Sequence, residues 1–127
     1  MSLKVSPELL AEAQTGTVAD DDFLDCVASS LPDAWKLVES LVDELEASGA
    51  EFADNRTVLT DEVAGQVLRM MASNAMRSAI ERKHGVRLAF QNCHRVAVFK
   101  AGTEQSYERF TSSAAQLLNQ NPELVNC

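Results

Sequence analysis

Glycine is scarce in this sequence, and the motifs on which several enzyme classes depend are missing. The chain has five glycines, and they form no glycine-rich phosphate-binding loop. The His-Glu-x-x-His pattern of zinc peptidases and the Gly-x-Ser-x-Gly pattern of hydrolases do not occur either. The sequence therefore gives no support to a catalytic function, and it favours a protein that acts by binding.

Cysteine is also sparse, since Cys26, Cys93 and Cys127 are three in number and lie far apart. An odd number of cysteines at wide spacing gives no disulfide framework, which favours a reducing compartment. No apolar run approaches the roughly 18 residues of a membrane-spanning helix. The first residues lack the apolar segment of a secretory signal. We expect a cytoplasmic protein with no membrane partner.

The chain is short and acidic, with 127 residues and a net charge of −8. Its length predicts a single domain over residues 1–127. Residues 1–62 carry 15 acids and three bases, whereas residues 63–127 carry four acids and eight bases. Charge separation of this kind can support self-association or a polar partner surface, and it is also common by chance in helical proteins.

Helical signals dominate the chain. Ser6-Pro7-Glu8 begins one helix, a second starts near Asp20, and a third runs from about Pro32 to Ser48 before Gly49. Residues 51–59 are read as a polar loop. Thr60 caps a long helical stretch that ends at Gly85, with a weak point at Ser73-Asn74 where it could divide into two.

The period of the apolar residues changes from helical to two after Gly85. Val86 to Gln91 and Arg95 to Lys100 form two alternating runs of strand formers around Asn92-Cys93-His94, which predicts a β-hairpin. A last helix is expected from Thr103 to about Asn121. The predicted fold is mainly α (α+β), with four to five helices around one core and a single β-hairpin before the C-terminal helix.

The adjoining pair Cys93-His94 is the one place where two soft, reactive side chains are neighbours. With His84 as a further ligand, Cys93 and His94 could bind a metal ion or act as a thiol-based sensor. Isolated cysteines more often behave as small buried hydrophobes, and His84 suits the negative end of a helix dipole. The metal site is therefore kept as a hypothesis.

Three arginines mark a candidate interaction surface: Arg77, Arg82 and Arg87. Helices followed by a hairpin and a last helix also fit a winged helix, in which these arginines, with Arg69 and Lys83, would contact phosphates. The acidic overall charge disfavours nucleic acid as a partner. Arg77 and Glu81 are spaced to form a pair on one helix face.

Three segments resemble a family of short acidic proteins from actinomycetes such as Streptomyces. They are Ser2-Leu3-x-Val5-Ser6-Pro7, the stretch from Phe90 to Phe99, and Leu117-Leu118-Asn119-Gln120-x-Pro122-Glu123-Leu124. The family has no assigned function, so the resemblance implies a bacterial cytoplasmic setting and no site residues.

The sequence favours a non-catalytic accessory or regulatory protein-interaction module. We expect it to form a homodimer and to bind another protein through its acidic helix faces and its basic second half. The first alternative is a small metal-binding or thiol-based sensor centred on Cys93 and His94. The second is a winged-helix-like DNA-binding regulator.

Overall fold

The structure is a computed structural model that describes residues 3–91 and 95–119. These residues form seven helices and one three-stranded antiparallel sheet, which confirms the predicted α+β class. In chain order the elements are α1 (Pro7–Gln14), α2 (Asp20–Ser30), α3 (Pro32–Ser48), β1 (Phe52–Asp54), α4 (Asp61–Ala72), α5 (Asn74–His84), β2 (Val86–Gln91), β3 (Arg95–Lys100), α6 (Glu104–Phe110) and α7 (Ser113–Leu118).

Local capping chemistry sets several helix ends where the sequence predicts them. The hydroxyl oxygens of Ser6 and Thr60 accept hydrogen bonds from backbone N–H groups three residues later. Gly49 and Gly85 have φ angles of 70° and 64°, the left-handed conformation that favours glycine at a helix end. These four residues fix the start of α1 and α4 and the end of α3 and α5.

The long helical stretch predicted after Thr60 is two helices, divided at Ser73. Ser73 is extended, and its hydroxyl accepts from the N–H of Met76, so it ends α4 and caps α5 at once. The Arg77 guanidinium donates to the carbonyl of Met71 at 2.9 Å and to Oδ1 of Asn74 at 2.7 Å. These bonds hold the junction in place.

The sheet has the order β1-β3-β2, so β3 is its central strand. The predicted hairpin is present as β2 and β3, and its expected turn at 92–94 lies outside the described residues. β1 is an addition to the prediction, because residues 51–59 are read as a loop from sequence. Phe52 to Asp54 pair antiparallel with Phe99 to Ala97 of β3. A three-residue strand gives too short a pattern to recognise without its partner.

Helices cover both faces of the sheet. Leu88, Val96 and Val98 face the main core, which they share with residues of α2 to α5. On the opposite face Ala89, Ala97 and Phe99 pack beneath Phe110, with Tyr107 beside them. The alternation of side chains along a strand explains why β3 is buried at four successive positions, 96–99.

The prediction of one continuous final helix from Thr103 to about Asn121 is wrong, because this part of the chain forms two helices, α6 and α7. Ser112 caps a separate helix, α7, by accepting from the N–H of Ala115 at 3.1 Å. Thr111 ends α6, and its hydroxyl donates to the carbonyl of Tyr107. Hydroxyl side chains that bond to nearby backbone groups compete with a continuous helix, and two occur here in succession.

A helix that crosses a bilayer has to be both long and apolar. In residues 3–91 and 95–119, no helix is both long and apolar enough to cross a bilayer.

The N-terminus of α3 is capped by a side chain from another helix. Leu31 occupies its N-cap position and offers no side-chain acceptor. Oε1 of Gln66, on α4, instead accepts from the N–H groups of Asp33 and Ala34 at 2.8 and 3.2 Å. Nε2 of Gln66 donates to the Asp33 carboxylate at 3.1 Å. Gln66 is 4% exposed, so these bonds are sheltered from water.

Replacement of Gln66 by Leu keeps most of the side-chain volume but removes the acceptor for two N–H groups. We expect the free energy of unfolding to fall by about 1–3 kcal/mol, the cost of leaving sheltered donors unpaired. Urea unfolding followed by circular dichroism measures this change. The exposed Gln14→Leu variant of α1 is the matched control and should remain within about 0.5 kcal/mol of the parent protein. An equal effect at both positions would contradict the capping role.

Two carboxyl groups meet between α1 and α2. Oε1 of Glu12 accepts from the N–H of Ala19 at 3.1 Å, which holds Glu12 against the start of α2. The negative charge of Glu12 raises the pKa of Asp22 above its ordinary value, and a hydrogen bond between the two side chains adds to the effect. A raised pKa means that charging Asp22 costs more in the folded chain than in the unfolded one.

The Asp22→Asn variant should therefore have a higher unfolding temperature than the parent protein at pH 7. The difference should shrink as pH falls through the raised pKa, and it should vanish below the ordinary value of 3.8, where Asp22 is protonated in both states. Thermal unfolding between pH 3 and pH 7 measures it. Asp43→Asn on the exposed face of α3 controls for the general gain from removing one acid. A gain no greater than that of this control would contradict the Glu12 contact.

Candidate functional site

The residues predicted to bind metal are only partly described. Cys93 and His94 lie outside the described residues. His84 is the last residue of α5, half-buried, with its ring centroid 6.3 Å from that of Trp35. Within residues 3–91 and 95–119, no group of three or more His, Cys, Asp or Glu side chains is arranged to hold a metal ion. The metal site on Cys93, His94 and His84 stays a prediction.

The three arginines of the predicted interaction surface line one groove. This β2 groove follows the outer edge of β2, between α5 on one side and α6 on the other, and has a volume of about 950 Å³. Four bases and two acids line it: Arg77, Arg82, Arg87 and Lys100, with Glu81 and Glu104. Sequence reasoning named Arg77, Arg82 and Arg87 together, and the fold brings them to the same place.

The floor of the β2 groove is a strand edge. Among the described residues, β2 pairs with β3 on one side only. The N–H of Leu88 points to the other side, where it donates to Oε2 of Glu81 at 2.8 Å. Alternate residues of an antiparallel edge strand direct their backbone groups the same way. Val86 and Phe90 therefore also turn their N–H and C=O groups into the groove.

Two of the arginines serve to build the walls. Arg77 fixes the junction of α4 and α5. Arg82 donates two hydrogen bonds, at 2.8 and 2.9 Å, to the carboxylate of Asp20 and so ties α5 to α2. The hydrogen bond from Arg82 lowers the pKa of Asp20, and the same bond raises the pKa of Arg82. Arg77 and Arg82 each use two of their five N–H donors in these bonds, and the charge of Arg82 is paired with that of Asp20.

Arg87 is different, because its charged group rests on an aromatic ring. It is exposed, and its guanidinium carbon lies 3.6 Å from the centre of the Tyr107 ring on α6. Tyr107 is itself braced edge-on against Phe99, with ring centroids 5.4 Å apart. A cation placed on a ring face is attracted by the ring's quadrupole. Arg87 is therefore held in one place at the mouth of the β2 groove.

Two residues of this site were not identified from the sequence. Glu81 was read as a helix partner of Arg77, but its carboxylate bonds to the edge of β2 instead. Tyr107 lies on α6, and its contact with Arg87 has no counterpart in the local sequence. Two contacts form only when α5, β2 and α6 have packed: that of Glu81 with Leu88 and that of Tyr107 with Arg87. No local sequence pattern predicts them.

The arrangement as a whole can bind an extended chain. It offers backbone donors and acceptors along one strand edge, a cation with open donors on one side, and walls that mix apolar and charged groups. Such an edge within a groove is suited to recognition of a backbone in strand conformation.

Comparison with known proteins gives one match. The whole chain, residues 1–127, matches the model of a family described as NucS shadow ORF. No curated protein and no solved structure matches the chain. Because the match extends over every residue, the chain belongs to the NucS shadow ORF family.

Proposed function

We propose that this protein is a non-catalytic protein-interaction module that receives an extended segment of a partner protein along the outer edge of β2. The observation that carries the proposal is the position of that edge, at the floor of a groove between α5 and α6. The segment would add a fourth strand to the sheet, the recognition mode called strand addition.

The backbone chemistry of the edge supports strand addition. The outward groups of Val86, Leu88 and Phe90 repeat every second residue, the spacing at which an added strand forms its ladder. Glu81 covers only the N–H of Leu88, so one side chain has to move for the ladder to form. The other edge of the sheet is β1, whose three residues offer a much shorter ladder.

Nucleic acid is the other macromolecule to weigh, because the name of the matching family model begins with KH. KH domains bind nucleic acid with a Gly-x-x-Gly loop that clamps the backbone of four nucleotides. The glycines here stand at positions 16, 49, 65, 85 and 102, so no two are three residues apart. The charge of −8 also opposes a polyanion. These features favour a protein segment.

The remaining alternatives rest on other parts of the chain. A sensor centred on Cys93 and His94 stays a prediction. A winged helix also has a three-stranded sheet whose central strand is the second strand of the hairpin, as β3 is here, so DNA binding by a winged helix stays a prediction. Homodimer formation stays a prediction as well, and β2 of a second copy is a segment that could compete for the same edge.

The cellular setting belongs to the same proposal. The segments that resemble actinomycete proteins support a bacterial host, and the absence of paired cysteine motifs supports a reducing cytoplasm. Cys26, buried beneath the N-terminal segment with its Sγ donating to the carbonyl of Lys4, has the environment of a structural thiol.

Selection from a phage-displayed library of random dodecapeptides tests the proposal without knowledge of the partner. We expect selected peptides to slow hydrogen exchange at the amides of Val86 and Phe90 in the bound protein. The amides of Arg87 and Ala89, which face β3, should be slow already in the free protein. No enrichment over an unrelated acidic protein, or binding that leaves Val86 and Phe90 unprotected, would refute strand addition.

Two variants of Glu81 separate strand addition from simple attraction of charge. Glu81→Ala frees the N–H of Leu88, whereas Glu81→Gln removes the charge but keeps an oxygen that can accept from it. Strand addition predicts that the Ala variant binds a selected peptide about threefold to tenfold more tightly than the Gln variant, because no acceptor has to be displaced. Equal affinities of the two variants would indicate that the edge of β2 does not take part.

A further inference from the structure

The arginines of the chain differ in whether a carboxylate neutralises them. Three arginines are neutralised within the chain: Arg56 by Glu44, Arg82 by Asp20, and Arg95 by Asp54. In the described part of the chain, Arg87 has no carboxylate within 4.0 Å, although it stands in a groove that also contains Glu81 and Glu104. Its contact with the Tyr107 ring leaves its charge unneutralised.

The stacked position of Arg87 prepares it to bind an anion. A guanidinium lying on a ring face uses its flat face for that contact, and its N–H donors point outward in the plane. Those donors form a rigid fork that matches the two oxygens of a carboxylate. Because Tyr107 already restricts the side chain, little rotational freedom remains to be lost when the fork binds.

The position of Arg87 on β2 decides which residue of an added strand it would meet. Side chains directly opposite each other on neighbouring antiparallel strands have Cβ atoms about 4.5–5.5 Å apart and share one face of the sheet. For Arg87 this is the face covered by α6. A residue opposite Arg87 would therefore project toward Tyr107, within reach of the guanidinium.

We infer, on the basis of the strand addition proposed above, that the partner segment carries Asp or Glu at the position opposite Arg87. The groove supplies the charge complementarity, since three bases line it with no carboxylate within 4.0 Å among the described residues, in a chain that is acidic overall: Arg77, Arg87 and Lys100. A second copy of this chain fits less well, because β2 has the sequence Val-Arg-Leu-Ala-Phe-Gln and contributes no acid. The occupant is accordingly an acidic segment of another protein.

A double-mutant cycle tests the inference with a peptide obtained from the dodecapeptide selection. The two changes in the cycle are Arg87→Gln in the protein and, in the peptide, replacement of the selected Asp by Asn or of the selected Glu by Gln. We expect each change alone to weaken binding about tenfold at 150 mM salt and the two together to weaken it no further. Arg69→Gln is the matched control and should leave the affinity unchanged, because Arg69 is exposed on α4 and has no carboxylate partner within residues 3–91 and 95–119.

The outcomes separate this inference from the function on which it rests. If peptides protect Val86 and Phe90 but show no acid opposite Arg87, or if the two changes act independently, the acidic specificity is wrong and strand addition stands. If no peptide protects the edge of β2, both fail. Competition by a single-stranded dodecamer of thymidylate at micromolar concentration would overturn the inference in favour of nucleic acid as the occupant.

Discussion

The burial of β3 on both of its faces and along both of its edges is the constraint on which the rest of the structure depends. Val96 and Val98 anchor the helices of the main core, while Ala97 and Phe99 anchor α6. β1 and β2 occupy its two edges. A strand buried in this way has no surface left for a ligand, so the proposed partner would have to bind to the elements around it.

The β2 groove follows from that arrangement. α5 leads directly into β2 through Gly85, and α6 follows β3 after a short turn, so the two helices stand on opposite faces of the sheet beside the same edge. Natural sheets cover or blunt their edges to avoid unwanted pairing. Here one carboxylate, that of Glu81, performs this task for the central residue of β2. In the proposed function, this side chain would have to leave the edge before a partner segment could pair with it.

The sequence predicts the elements whose signals lie in neighbouring residues. It does not predict those that form only through contacts with residues far away in the chain. Ser6, Thr60, Gly49 and Gly85 signal helix ends through their own backbone and side-chain chemistry, and the alternation from Val86 onward signals the hairpin. β1 gains its strand conformation only from pairing with β3, more than 40 residues later. The three groove arginines are predicted as one surface, but no local pattern indicates that Arg82 pairs with Asp20 while Arg87 rests on the Tyr107 ring.

The cap that Gln66 provides for α3 joins two helices into one cooperative unit. Most helix caps lie within a few residues of the helix end, so the helix can form its first turn before the rest of the chain is in place. The first turn of α3 instead waits for a residue 33 positions away. When α4 moves away, even briefly, the first N–H groups of α3 lose their acceptor and α3 frays from its N-terminus. Partial opening of the main core should therefore involve both helices together.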